Sequence, residues 1–66
     1  NAFFFTGDPV NDLLSVTSVH PMREDAVREL LKRDNAGWEV VERLIREGKL
    51  VELTYEGHKF YIRRLR

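Results

Sequence analysis

No cysteine occurs in this chain of 66 residues. Disulfide staples, thiolate zinc sites and cysteine-ligated iron–sulfur clusters are therefore excluded within it. A cysteine-free chain suits a reducing compartment, and the cytoplasm is the expected location. No apolar run approaches the ~18 residues a membrane helix needs, so no membrane partner is expected. No basic stretch leads into an apolar one at the start, which leaves no signal-peptide pattern. An initiating Met is also missing, and the opening "NA" reads as a cloning or protease scar. The two histidines, His20 and His58, lie far apart with no HExxH spacing, so no metal site is expected. There is no glycine-rich phosphate loop and no supported Ser–His–Asp arrangement. Glu24 and Asp25 read as first-turn residues on a helix dipole. No catalytic residue is expected, and the fragment is not read as an enzyme.

A charge excess is lacking too: 11 basic residues balance 11 acidic ones. A nucleic-acid-binding domain usually shows a basic excess. Here the charge is only unevenly spread. Residues 1–22 hold Asp8 and Asp12 and no Lys or Arg, whereas residues 58–66 hold Lys59, Arg63, Arg64 and Arg66 and no acid.

What is present reads as one small globular domain. Hydrophobic residues make up 42% of the chain and charged ones 33%, outside the disordered range. A chain this short buries only about 60% of its unfolded surface, so its core is thin. "FFF" at 3–5 would be an aggregation liability if free, and residues 1–7 are read as scar plus linker stub. The expected domain is 8–66.

Asp8 is a good N-cap with Pro9 at the first helical position. Val10, Leu13 and Leu14 then share a face at helical spacing. The β-branched run "SVTSV" predicts the end of that helix, and a short extended piece before Pro21. "REDAVRELLKRD" is a second helix with an apolar stripe of Ala26, Val27, Leu30 and Leu31. Glu24–Arg28 and Glu29–Arg33 are i,i+4 pairs in the favourable order. "DNAG" is a turn. A third helix is predicted over 37–48, with Val41, Leu44 and Ile45 inward, Trp38 covering the core and Gly48 as the stop.

"LVELTYEGHKFYIRRLR" reads as a hairpin turning at Glu56-Gly57. Tyr55 then faces His58, Leu53 faces Phe60 and Val51 faces Ile62. Those six residues form a nearly all-apolar face. Leu50, Glu52, Thr54, Lys59, Tyr61 and Arg63 form the other. The order of helix, short strand, helix, turn, helix and hairpin predicts an α+β winged helix-turn-helix.

Two binding surfaces follow from that fold. The third helix turns Glu39, Glu42, Arg43, Arg46 and Glu47 outward. Glu39–Arg43 and Glu42–Arg46 pair within the helix, and three carboxylates would face phosphate, so specific duplex DNA is disfavoured. The wing offers Lys59, Tyr61, Arg63, Arg64 and Arg66, an aromatic-and-basic set suited to RNA or an acidic partner. The same residues would also keep a small edge strand soluble.

"SVTSVHPMREDAVRELL", "VVERLIREGKLVEL" and "KFYIRRL" carry a resemblance over residues 10–65. They resemble the C-terminal winged-helix extension of prokaryotic radical S-adenosylmethionine iron–sulfur proteins related to wyosine synthesis. The resemblance implies a longer parent that binds a [4Fe–4S] cluster and S-adenosylmethionine through an upstream CxxxCxxC motif. That motif is not in these 66 residues, so no catalytic or cluster-binding residue carries over. Arg23 and Gly37 depart from the usual helix-capping residues. The function expected is a non-catalytic accessory domain that docks substrate, RNA among the candidates, or packs on its own upstream catalytic domain. The alternatives are the DNA-binding domain of a transcriptional regulator and a protein–protein module.

Overall fold

In the computed structural model, which describes residues 6–65, the elements run α1 (Pro9–Thr17), β1 (Met22–Arg23), α2 (Glu24–Arg33), α3 (Glu39–Arg46), β2 (Leu50–Tyr55) and β3 (His58–Arg63). The three strands form one antiparallel sheet in the order β1-β3-β2. This is the predicted α+β winged helix with a C-terminal hairpin.

Asp8 caps α1 as expected, its carboxylate accepting from the N–H groups of Val10 and Asn11. The helix runs past Leu14, where the β-branched residues were expected to stop it. Leu13 and Thr17 are one turn apart and both buried, and the Thr17 hydroxyl donates to the Leu13 carbonyl at 2.7 Å. Burial of that face outweighs the weak local preference of Val16 and Thr17 for extended backbone. α2 has no side-chain cap at Arg23. It ends on Asn35 at φ 56, with Ala36 N–H donating back to Leu31 O at 2.8 Å. α3 ends in the same way at Gly48, φ 75, with Lys49 N–H donating to Leu44 O at 2.8 Å. Both are left-handed closures that satisfy the last carbonyls of a helix. α3 is shorter than the predicted 37–48. Its first turn is closed by Val40 N–H on Gly37 O and Val41 N–H on Trp38 O, with no side-chain cap to extend it.

The core consists of Leu13, Met22, Val27, Leu30, Leu31, Val41, Leu44, Leu50 and Tyr61. Two expected members differ. Ala26 is exposed, and Ile45 is 36% exposed at the rim of α3. Trp38 is half-buried against the core, the covering role predicted for it.

One buried polar cluster ties the helices together. Asp12 of α1 accepts from Thr6 N–H and Oγ1 and from Gly7 N–H. Thr6 and Gly7, which the sequence placed in a linker stub, are thereby held to the domain. The Asp12 carboxyl also meets that of Asp34, the C-cap of α2. Both are buried, and Asp34 Oδ2 has no hydrogen-bond partner among the described residues. Two buried carboxylates in contact cannot both stay ionised at low cost. Burial alone would raise Asp12. The hydrogen bonds from Asp34, Thr6 and Gly7 outweigh it and hold Asp12 below its ordinary value. Asp34 is raised, first by its hydrogen bond to Asp12 and then by burial.

Two predictions follow from this packing. Leu44 is fully buried, and Leu44→Ala should cost about 2–5 kcal/mol. Chemical denaturation measures this, and near-wild-type stability would remove Leu44 from the core. The raised Asp34 contributes stability that is complete below the unfolded carboxyl value of 3.8 and lost as pH climbs through its folded value. Asp34→Asn keeps a donor for Asp12 without the charge. Its melting temperature should exceed wild type at neutral pH, and the gap should close toward pH 4. Parallel melting curves across that range would contradict the raised Asp34.

Candidate nucleic-acid and partner interface on the wing

The wing turns where predicted, through Glu56 at φ 50 and Gly57 at φ 81. Two consecutive left-handed residues make a type I′ turn, whose twist matches the strands it joins. The register also agrees: Tyr55 faces His58, Leu53 faces Phe60 and Val51 faces Ile62. Which face turns inward was not fixed by that register. Leu50 and Tyr61, on the face that carries most of the polar residues, are the two hairpin side chains in the core.

This placement breaks up the expected basic and aromatic set. Tyr61 is 1% exposed, with Met22 of β1 beside it on β3. Trp38 meets its ring edge-on, at 5.5 Å between centroids and 77° between planes. The Arg28 guanidinium sits 4.3 Å over the Trp38 ring. The Tyr61 hydroxyl donates to Glu52 Oε2 at 2.7 Å. Burial first, and then the Glu52 carboxylate, push the phenol well above its ordinary range. Tyr61 is therefore a core residue and offers no face on which a base could stack. Lys59 and Arg63 are exposed on either side of it. They lie four residues apart along β3, roughly 13 Å at strand spacing and beyond the screening length at physiological salt. Arg64 is exposed at the base of the wing, where its N–H donates to Lys49 O at 3.0 Å. Arg66 lies outside the described residues.

Lys59 instead borders a groove of about 320 Å³ with His58, Arg23, Arg28, Glu24 and Asp25. Arg28 pairs with Glu24 at 2.8 Å, as predicted, and Arg23 lies 3.6 Å from Asp25. Arg23 also reaches His58 Nδ1 at 3.4 Å. Two of the three full positive charges are thus matched by acids on the same surface. Such exposed pairs are worth about 0–1 kcal/mol each. Among the described residues no group of three His, Cys, Asp or Glu is placed to hold a metal.

The outward face of α3 is as acidic as expected, but its pairs differ. Arg43 lies 3.7 Å from Glu47 rather than joining Glu39, and Glu47 also lies 3.5 Å from Lys49. The last turn of the helix and the loop after it form one cluster, leaving Glu39 and Glu42 toward solvent.

The surface that sequence reasoning missed is the outer sheet face. Leu53 is 46% and Tyr55 66% exposed. With Phe60 and Pro21 they line an open apolar groove of about 400 Å³. The alternation displayed this face, but nothing local said that the helices would cover its opposite.

Across its full length the chain is 39% identical to a UPF0026 protein of Methanocaldococcus jannaschii. It spans 21% of that protein's length. No family model and no solved structure matches the chain.

Tyr61→Phe removes only the hydroxyl. It should cost about 0.5–1.5 kcal/mol and leave any RNA affinity unchanged, whereas loss of RNA binding at unchanged stability would restore Tyr61 as a contact residue. Parallel denaturation and RNA titration of the variant separate the two roles.

Proposed function

We propose that this winged helix is a non-catalytic accessory domain of a larger protein and packs on that protein's catalytic part. The observation that carries the reading is the relative, in which the matching region is only 21% of the length. The mixed charge on the two surfaces a DNA-binding winged helix would use agrees with it. α3 is eight residues long and presents Glu39 and Glu42 with its arginines. On the wing, Tyr61, the aromatic that shares a face with Lys59 and Arg63, is in the core. Neither surface suits a regulator that reads duplex sequence.

The resemblance set out above supports the finer reading of the larger protein as a radical S-adenosylmethionine enzyme of the cytoplasm. A [4Fe–4S] cluster and S-adenosylmethionine would then be held entirely outside these 66 residues. The exposed cations Lys59 and Arg63 suit a peripheral role in docking an RNA substrate.

Removing the domain from the longer polypeptide tests this. Iron content and the visible absorbance of the cluster should be retained, while turnover of the natural substrate falls. A reading frame with no upstream CxxxCxxC would overturn the radical-enzyme assignment. For this chain alone, random duplex DNA should bind no tighter than roughly 10⁻⁴–10⁻⁶ M at physiological salt. Any RNA affinity should fall on Lys59→Glu or Arg63→Glu and stay unchanged on Arg43→Ala. Titrations at two salt concentrations measure both. Nanomolar, sequence-selective duplex binding that Arg43→Ala abolishes would make the domain a regulator.

A further inference from the structure

We infer that the outer sheet face, centred on Leu53, Tyr55 and Phe60, is the surface that docks this domain on the remainder of its own longer polypeptide. The inference rests on the accessory-domain reading and adds where the contact is made. Val51, Leu53, Tyr55, Phe60 and Ile62 point to this side of the hairpin, and Pro21 closes one end of the groove. A domain this small seldom leaves a contiguous apolar face uncovered without a partner for it.

The chemistry of the face selects the occupant. Among its six hairpin residues none is Lys, Arg, Asp or Glu, and β1 adds Arg23 at the edge, opposite Phe60 and 3.4 Å from His58 Nδ1. The one cation among the strand residues on this side is Arg23, which lies 3.6 Å from Asp25, so a nucleic-acid backbone finds a single, already matched charge beside a wide apolar surface. An anionic lipid surface would need a cluster of cations, and beyond Arg23 those of the strands, Lys59 and Arg63, belong to the opposite face. The occupant that matches Pro21, Leu53, Tyr55 and Phe60 is apolar protein. A second copy of the chain would need more area, because free partners bury about 20–30 residues on each side. A tethered partner needs far less, since a short linker supplies an effective concentration in the millimolar range. The relative provides such a partner: most of its length lies outside the region that matches this chain.

Hydroxyl-radical footprinting of the full-length protein, read by mass spectrometry, tests the assignment. Tyr55 should oxidise about as slowly as the core residue Tyr61, at every protein concentration. In full-length Leu53→Asp, Tyr55 and Phe60 should oxidise several-fold faster while Tyr61 stays protected. Tyr61 is thus the internal control for unfolding, and Leu53→Ser replaces the variant if Tyr61 becomes reactive. Rapid oxidation of Tyr55 in the wild type would overturn the inference. Protection that appears only with rising concentration and a dimeric mass would assign the face to a second copy, and protection only with added RNA would assign it to substrate. A reading frame that encodes this domain alone would defeat the accessory-domain reading itself, before any footprint is taken.

Discussion

Three short helices have enough apolar surface to cover one face of a three-stranded sheet, and most features of this domain follow from that limit. The covered face is the one that bears Leu50 and Tyr61. Tyr61 is its centre: β1 pairs alongside it, Trp38 abuts its ring edge and Glu52 accepts its hydroxyl. An aromatic with a polar tip suits a thin core. The ring supplies buried area while the hydroxyl stays satisfied at the margin. Arg28 extends the arrangement outward by lying on Trp38, so a cation covers apolar surface that the core cannot enclose.

The same limit leaves the opposite face bare. Leu53 and Tyr55 stay exposed because, among the described residues, no further helix lies over them. In a domain that works alone, such a face would favour aggregation. In one tethered to a larger body it becomes a place to dock. The winged-helix shape therefore does not imply the winged-helix occupation. Shape is set by packing, whereas binding is set by what the surfaces present. Here α3 presents carboxylates, the wing tip presents matched charges and the sheet presents hydrocarbon.

Polar burial adds a second layer of definition. The contact between Asp12 and Asp34 joins the middle of α1 to the end of α2, and the hydrogen bonds from Thr6 and Gly7 fix the entry of the chain. Two carboxyl groups in contact in a small core make the junction sensitive to charge. It also orients the helices more narrowly than apolar contact does, because carboxyl groups accept few geometries.

The sequence alone determined what depends on neighbours in the chain. Asp8 and Pro9 started α1, Gly48 stopped α3, Glu24 found Arg28, and Glu56-Gly57 set the turn and with it the hairpin register. Each depends on residues within about four positions, or on a period-two pattern that a slip would spoil. Only the tertiary structure decided which sheet face turned inward, whether Val16 and Thr17 stayed helical, and that Tyr61 was core rather than contact. It alone brought Asp12 to Asp34. These outcomes depend on which surfaces bury one another across distant parts of the chain. Alternation along a strand labels two faces, but the choice between them belongs to the helices that pack on one.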